Sequence, residues 1–368
     1  MTDCALDLRQ ARIAPWLMTT HVDTVTTVYV SHGPSHSNNS ARGTDGLPVA
    51  PDFHQRVASA IGGMASVQVI NSGDPWPQDQ FEIGFTAMPG KTLPVVMNSP
   101  RQRPDPTLSL HDYVYNTLAG PGMGLVKSLA TSQDSQNSFG NLECLPAYAG
   151  TPARPLGEVY HGNQLSEPIP SFLQAQPQQP WRLITSWLRV QHVDETMVAR
   201  PTGGGNFHVV LACPRIAIQI LQANQNDVIK AWAMQEPQTP PLPGRTAAQI
   251  LADVQQENEQ FQNALDSLRT NLQGRGLVVE EVPVLFAANG EALLPDMVNL
   301  LCVNGKLIVP KPFYQPFEDA FRQAVGAATP VEFIDCLERH WGAGQVHCGT
   351  NTRRTPKPEW ERWWEVVP

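Results

Sequence analysis

The sequence lacks the features that mark several classes of protein. Its 368 residues contain 25 Lys and Arg against 34 Asp and Glu, a formal net charge of −9, so no basic surplus is present to meet nucleic-acid phosphates. No apolar run approaches the ~18–20 residues that span a membrane. The first residues lack the basic and apolar regions of a signal peptide. We therefore expect a soluble, cytoplasmic protein with neither a nucleic-acid nor a membrane partner.

Cysteine pairs of the CxxC type are also absent. The six cysteines are scattered, at positions 4, 144, 213, 302, 336 and 348. Their even number leaves a disulfide set open. A chain of this length does not need disulfides to fold, and the scatter favours free thiols in a reducing compartment.

Strands and helices alternate along the sequence, which predicts an α/β protein. β-branched or alternating apolar segments predict strands at residues 22–30, 66–70, 93–97, 187–198, 207–212 and 277–286. Periodic apolar residues predict helices at residues 53–64, 214–234 and 246–272. An Asn-Gly pair predicts a hairpin within residues 299–310. The length exceeds the ~250–300 residues of a single core, so the chain forms two domains or one large closed repeat architecture.

A candidate nucleophile lies in the polar segment GQVHCGTNTRR at residues 344–354. Cys348 stands between a histidine and a glycine, and Arg353 and Arg354 follow. The thiolate is the reactive form of cysteine, and nearby cations lower the thiol pKa. Cys302, in contrast, lies in the apolar run LLCV and is interpreted as a core residue.

Three acidic or basic side chains elsewhere complete a possible reaction site. His192 and Asp194 are two positions apart, and on an extended strand their side chains leave the same face. Asp79 follows a tryptophan in a proline-constrained loop. One interpretation is acyl transfer, as in cysteine proteases. The other is attack on a guanidinium carbon. A planar cation explains two aspartates better, because carboxylates bind it in bidentate fashion.

Several motifs together resemble the catalytic domain of the protein-arginine deiminases, in that family's order and over residues 12–368. The motifs are WPQD at 76–79, SPRQR at 99–103, FGNLE at 139–143, VQHVDE at 190–195, PKPF at 310–313, VHCGTN at 346–351 and WWEVVP at 363–368. The resemblance implies a five-bladed pseudo-symmetric α/β propeller, the pentein or guanidino-group-modifying enzyme fold. It also implies one catalytic domain over residues 1–368, and we expect no N-terminal immunoglobulin-like domains.

The reaction implied by the resemblance is hydrolysis of peptidyl arginine to citrulline and ammonia through a covalent amidino-thioether, with arginine-containing proteins or peptides as substrates. Cys348 would be the nucleophile and His192 the general acid and later the base. Asp79 and Asp194 would hold the guanidinium nitrogens. The substrate-binding residues implied in the same way are Trp76, Arg101, Arg103 and Val190. Trp76 would wall the aliphatic stem, and the two arginines would bind the substrate backbone.

The family is known for calcium activation, and this sequence keeps one of its ligand sets. That set comprises Gln78, Glu82, the carbonyl groups of Phe139 and Leu142, and Glu143. Two carboxylates with amide and carbonyl oxygens suit a hard cation. A second set falls at Gln80, Asn98, Ser99 and Gln102. The family mostly carries acids at the first two positions, so we expect one Ca²⁺ site and a weakened or absent second one, with less calcium dependence.

Other functions share these residues. A free-arginine or agmatine deiminase, or an amidinotransferase, would use the same fold. A non-catalytic arginine-peptide binder is disfavoured because every chemical group of the reaction is present. A metal site at His347 and Cys348 is also disfavoured, because adjacent residues rarely chelate one ion. The sequence leaves the oligomeric state open.

Overall fold

The computed structural model describes residues 14–32, 52–103, 110–128, 131–235 and 243–366. Its strands, numbered along the chain, are β1 Leu17–Met18, β2 Thr24–Ser31, β3 Ser66–Ile70, β4 Phe81–Met88, β5 Lys91–Asn98, β6 Gly124–Lys127, β7 Leu142–Leu145, β8 Glu158–Gly162, β9 Trp181–Leu183, β10 Met197–Gly203, β11 Asn206–Cys213, β12 Val228–Ile229, β13 Arg245–Thr246, β14 Val279–Pro283, β15 Leu301–Val303, β16 Lys306–Pro310, β17 Val331–Ile334 and β18 Thr350–Thr355. The α-helices are Phe53–Ile61, Pro77–Gln80, His111–Tyr113, Ile169–Gln174, Pro214–Ala223, Ala247–Gly274, Gln315–Val325, Leu337–His340 and Trp363–Val366. Shorter 3₁₀ turns are Ser135–Asn137, Phe139–Asn141, Val193–Glu195, Ala231–Ala233 and Pro358–Arg362, and a π-helical turn covers Val114–Leu118.

The same strand pattern recurs in five sheets. In each sheet, the first two strands are antiparallel. A helical connection leads from the second strand to a third strand, which runs parallel to the second. The antiparallel pairs are β4–β5, β7–β8, β10–β11, β15–β16 and β18–β2. Their parallel partners are β6, β9, β14, β17 and β3, in the same order. The predicted α/β class is therefore confirmed.

Buried apolar clusters join these sheets to one another. One cluster combines side chains of β2 with those of β15 and β16. A second combines β5 with β7 and β8, and a third combines β2 with β4 and β5. The largest includes residues of β8, β11 and β16. Each of the five sheets thus shares apolar core with at least two others.

Two local predictions are confirmed. The long helix Ala247–Gly274 begins with a capping box, in which Thr246 Oγ1 accepts from Gln249 N at 3.2 Å and Gln249 Oε1 accepts from Thr246 N at 2.9 Å. The predicted hairpin joins β15 to β16 through Asn304 and Gly305, whose φ angles are 48° and 89°. Asparagine and glycine are the residues that adopt such left-handed conformations most readily.

Two segments differ from their prediction. The helix expected at 214–234 ends at Ala223, where the side chain of Asn224 donates to Ile220 O, and Val228 then pairs with Thr246. The strand expected from residue 187 begins only at Met197. Before it, Gln191 has a φ of 70° and residues 193–195 form a 3₁₀ turn, so no continuous strand runs through His192, although His192 itself has extended backbone angles.

Two further findings concern the cysteines and the helices. The cysteines at 144, 213, 302, 336 and 348 are free thiols, as expected, and Cys4 lies outside the described residues. Among the residues that the structure describes, no helix combines the length and the apolar content needed to cross a bilayer.

Candidate active site

One cavity of about 240 Å³ brings together residues that are far apart in sequence. The sequence-predicted residues that line it are Trp76, Asp79, Arg101, Arg103, Val190, His192 and Cys348. The remaining candidate, Asp194, lies next to the thiol, with its Oδ2 atom 3.4 Å from Cys348 Sγ. All eight candidate catalytic and substrate-binding residues therefore lie at one place.

A single helical turn, Pro77–Gln80, positions two of these side chains. Pro77 suits the first helical position because its fixed φ is helical and it needs no N–H donor there. The turn is tied to the nucleophile segment, since Gln78 N donates to Cys348 O at 3.4 Å. The indole of Trp76 lies against Gly344, where a Cβ atom would come within 2.6 Å of the ring. Only glycine allows this close approach.

The Cys348 thiol is buried and hydrogen-bonded to both a donor, Asn299, and an acceptor, Asp194. Its side chain receives a hydrogen bond from Asn299 Nδ2 at 3.2 Å, and its backbone N–H donates to Asn299 Oδ1 at 3.2 Å. Burial raises the pKa of the Cys348 thiol well above its usual range, and the charges of Asp194 and Asp79 raise it further. The thiol is therefore protonated while the cavity holds no cation.

The expectation that neighbouring arginines lower the thiol pKa is wrong. The Arg354 guanidinium points away from Cys348 and donates instead to backbone carbonyl groups, those of His21, Asp23 and Cys302. Alternation along β18 sends this side chain into the core. Arg354 therefore does not supply the charge that could ionise the thiol.

Asp79 faces the cavity between two arginines. Its Oδ2 atom accepts from Arg101 Nη1 at 2.8 Å and from Arg103 Nη2 at 3.3 Å. Arg103 also binds Asp74 in bidentate fashion, at 2.6 and 2.9 Å. The other oxygen, Asp79 Oδ1, has no hydrogen-bond partner among the described residues. It is buried and available to a ligand.

His192 and Asp194 are brought together by the 3₁₀ turn and not by an extended strand. A Cβ atom on Gly140 would lie 2.5 Å from His192 Nδ1 and 3.2 Å from Asp194 Oδ2, so both side chains crowd the same glycine. The turn is stabilised because His192 N donates to Glu195 Oε1 at 3.0 Å. Their proximity was predicted, but from the wrong backbone conformation.

The hydrogen bonds of His192 determine which ring nitrogen can react. Its Nε2 atom lies 2.9 Å from Ser135 O, and because a carbonyl oxygen can only accept, Nε2 carries hydrogen. Nδ1 has no partner among the described residues and lies 3.8 Å from Asp79 Oδ1. Nδ1 is therefore the nitrogen that can exchange a proton with a ligand near Asp79.

The predicted calcium ligands converge behind this cavity. Gln78 Nε2 contacts Glu82 Oε1 and lies 3.4 Å from both Phe139 O and Glu143 Oε1. Burial raises the pKa of Glu82 well above its usual range, and the charge of Glu143 adds to the shift. Two buried carboxylates and a carbonyl oxygen thus lie close to one side-chain amide. Such a set of oxygen ligands fits a hard divalent cation. Leu142 begins β7 beside Glu143, and its role as a ligand remains a prediction.

The second predicted set consists of neutral groups that hydrogen-bond to one another or to nearby residues. Gln80 Nε2 donates to Asn98 Oδ1 at 2.8 Å, and Asn98 Nδ2 lies 3.1 Å from His111 Nδ1. Ser99 Oγ donates to Asn137 O at 2.8 Å, and the backbone N of Gln102 donates to Ser132 O. These contacts involve no carboxylate, so the set offers poor ligands for Ca²⁺.

Sequence reasoning missed three residues at the site. Asp74 forms an ion pair with Arg103, and Asn299 donates a hydrogen bond to the thiol. His347 bridges Asp194 and Glu143 through its two ring nitrogens, at 2.9 and 3.1 Å, respectively. Burial alone would lower the pKa of His347, but the Glu143 and Asp194 carboxylates outweigh it and raise the pKa. One signal was available for Asn299, a polar residue directly before the apolar run of β15.

Comparison with known proteins finds relatives over nearly the whole chain. The sequence profile of the family described as Protein-arginine deiminase (PAD) matches residues 4–365. Human protein-arginine deiminase type-1 is 30% identical over 398 aligned positions, which cover 97% of this chain and 56% of the relative. Human types 3 and 4 are each 31% identical, with the same coverage. The chain thus spans about half the length of these curated relatives.

Solved structures share the fold at much lower identity. An agmatine deiminase from C. jejuni superimposes with a TM-score of 0.53 and 12% identity, covering 94% of this chain and 99% of that one. An agmatine deiminase from Enterococcus faecalis gives a TM-score of 0.51 and 13% identity, covering 95% and 100%. These similarities concern the mixed α/β fold alone.

Proposed function

The chain belongs to the protein-arginine deiminase family, and on that premise we propose that it hydrolyses peptidyl arginine to citrulline and ammonia, with Cys348 as the nucleophile. The observation that carries the proposal is the convergence of one thiol, one imidazole and two carboxylates on one cavity. Cys348, His192 and Asp79 line it, and Asp194 contacts the thiol. Arginine-containing proteins or peptides are the proposed substrates.

Charge explains how a protonated thiol becomes a nucleophile. Burial and the two aspartates raise the pKa of Cys348 in the free protein. A guanidinium held between Asp79 and Asp194 cancels their repulsion of a sulfur anion, so it lowers the thiol pKa from its raised value. The thiol therefore loses its proton to solvent when the cationic substrate binds. A neutral ligand would leave it protonated.

The proposed reaction then balances in two steps. The Cys348 thiolate attacks the guanidinium carbon, and His192 donates a proton through Nδ1 to the departing nitrogen, which leaves as ammonia. The intermediate is an S-alkylthiouronium. His192, now neutral, takes a proton from water as the water adds to the same carbon. Cleavage of the C–S bond, with loss of the added hydroxyl group's proton to solvent, releases citrulline and returns the sulfur as thiolate.

We also propose that the five sheets form the blades of a closed propeller. The recurring strand pattern supports this arrangement. The apolar clusters support it too, because each sheet shares core residues with at least two others and β18 pairs with β2. A ring of blades would bring loops from all five sheets to one end, where the cavity lies.

We propose that one Ca²⁺ ion is held by Gln78, Glu82 and Glu143 with the carbonyl groups of Phe139 and Leu142. When bound, it supplies positive charge that neutralises the buried Glu82 and Glu143 carboxylates. Gln78 precedes Asp79 in the turn Pro77–Gln80. Fixing Gln78 therefore orients Asp79 for the substrate guanidinium. The neutral second set makes us expect weaker calcium dependence than the family is known for.

One assay tests the proposal and its main alternative. Purified protein is incubated with a blocked arginine peptide, free arginine or agmatine, each with Ca²⁺ or with a chelator, and citrulline or carbamoylputrescine and ammonia are measured. We expect citrulline from the peptide and little product from the small substrates. Product from agmatine or free arginine alone would assign the site to a small-molecule deiminase. No product from any substrate under either condition would contradict a catalytic role.

Substitution Arg103→Ala is expected to reduce kcat/KM for a blocked arginine peptide by about 10–100-fold, because a hydrogen bond from a charged group is worth about 1.5–3 kcal/mol. Free arginine lacks the peptide backbone that this guanidinium would bind, so its slower turnover should change much less. Steady-state kinetics on both substrates measures the difference. The control is Arg182→Ala, an exposed arginine on β9 that lies outside the cavity. Equal losses on both substrates would refute backbone recognition by Arg103.

A further inference from the structure

We infer that the protein binds a borderline transition-metal ion, of the Zn²⁺ class, between His21, Glu143 and His347. Each of these residues offers one ligand atom, and the three atoms lie within 4.8 Å of one another. His21 Nε2 is 3.2 Å from Glu143 Oε2, and His347 Nε2 is 3.1 Å from Glu143 Oε1. The inference goes beyond the proposed deimination, in which His21 and His347 have no assigned role and Glu143 serves as a Ca²⁺ ligand.

The three side chains form a preorganised donor set. Their exposed fractions are only 10% for His21, 5% for Glu143 and 8% for His347. Two imidazoles and one carboxylate are the set that holds catalytic zinc in several hydrolases. Separations near 3 Å between neighbouring donor atoms suit a small ion with metal–ligand distances of about 2.0–2.2 Å. A fourth position would be left for water.

The second ring nitrogen of His347 supports this assignment. Its Nδ1 atom lies 2.9 Å from Asp194 Oδ2, which leaves Nε2 to face Glu143. A carboxylate that accepts from one nitrogen of a histidine, while the other nitrogen faces a metal, is the usual arrangement around metal-bound histidines. The hydrogen bond fixes the ring tautomer and makes Nε2 a better ligand.

The surrounding charge favours a dication. Glu143 and Glu82 are both buried close to the site, and Asp194 lies behind His347. The opposing cation is Arg354, whose guanidinium is bound by carbonyl groups. A metal ion binds imidazole through the lone pair of a neutral ring, so binding releases any proton that the ligating nitrogen carries.

The nature of the ligands separates this ion from calcium. Imidazole nitrogens suit Zn²⁺, Co²⁺ and Ni²⁺, whereas Ca²⁺ and Mg²⁺ take oxygen ligands. The proposed calcium set lies on the other side of Glu143, around Gln78 and Glu82. Glu143 is common to both sets. The two ions should therefore compete for one carboxylate.

Titration of the full chain with Zn²⁺ in metal-free buffer, followed by calorimetry, tests the inference. We expect one ion per chain. Titration with Co²⁺ should give visible absorption bands typical of nitrogen and oxygen ligands in four- or five-coordinate geometry. Substitution His21→Ala should weaken Zn²⁺ binding on the order of 100-fold, because it removes a direct ligand. The affinity for Ca²⁺ should change little, since that site uses oxygen ligands.

Three further variants make the result decisive. His21→Asn retains a polar side chain and guards against a folding defect, which circular dichroism checks. His54→Ala removes a histidine from the second group of possible ligands, His32, Asp52 and His54, and should leave Zn²⁺ binding intact. Cys348→Ser should also bind Zn²⁺ normally. Unchanged affinity in both His21 variants, no stoichiometric binding, or a thiolate charge-transfer band in the Co²⁺ spectrum would overturn the inference.

Discussion

Replacement of Cys348 by serine should abolish citrulline release from an arginine peptide, with kcat reduced on the order of 10⁵-fold or more. A serine hydroxyl in this buried position keeps its proton far more strongly than a thiol does. The guanidinium between Asp79 and Asp194 could not ionise it. Substrate affinity should persist, because the carboxylates remain. The measurement combines single-turnover citrulline assays with peptide binding by calorimetry.

Cys213 provides the matched control for this substitution. It is a free, buried thiol outside the cavity, and its Sγ atom donates to Gln262 Oε1 at 3.4 Å. Burial raises the pKa of Cys213 to about 11. Serine can keep the same hydrogen bond, so Cys213→Ser should retain activity. Substantial turnover in Cys348→Ser would refute covalent catalysis by this residue.

Substitution Asp194→Asn should lower deimination and raise thiol reactivity at the same time. We expect kcat/KM for the peptide to fall about 10³-fold, which corresponds to about 4 kcal/mol, because one of two buried carboxylates that hold the guanidinium loses its charge. In the free protein the charge of Asp194 raises the pKa of Cys348, second only to burial. Removing it lowers the thiol pKa, so more thiolate is present at a given pH.

The two effects are measured separately. Steady-state kinetics gives kcat/KM, and mass spectrometry of the peptide that contains Cys348 gives the rate of alkylation by iodoacetamide as a function of pH. The alkylation profile of Asp194→Asn should shift to lower pH than that of the parent. The exposed carboxylate in Asp253→Asn serves as the control and should change neither quantity. Slower alkylation in Asp194→Asn would contradict the electrostatic account of the thiol.

The sequence predicted correctly a helix and a hairpin that depend on interactions between residues close together in the chain. The helix Ala247–Gly274 is defined by its apolar period and by the capping box at Thr246, both within a few residues. The hairpin at Asn304 follows from turn chemistry. The 3₁₀ turn at Val193–Glu195 was missed because one hydrogen bond to Glu195 outweighs the β-branched pattern around it.

The electrostatics of the site could not be predicted in the same way. Arg354 is close to Cys348 in sequence, but alternation along β18 turns its guanidinium toward the carbonyl of Cys302. Asp194 is 154 positions away and yet contacts the thiol. Arg354, which lies near Cys348 in the sequence, therefore suggested a cationic environment for the thiol. The fold instead places an acidic side chain, Asp194, next to it. Family motifs identified which residues meet, but the protonation state of the sulfur depends on three-dimensional neighbours.

The pairing of β18 with β2 also bears on when the protein can become reactive during synthesis. Thr26 and Arg353, which are joined by a hydrogen bond across these strands, are separated by 327 positions. The ribosome therefore releases β2 long before its antiparallel neighbour exists, and contacts of such long range form slowly. Cys348 lies two positions before Thr350, the first residue of β18, so the sulfur is held in its acidic surroundings only after this strand has paired with β2. If the proposed function holds, a nascent chain that has not yet formed this pairing should lack arginine-modifying activity.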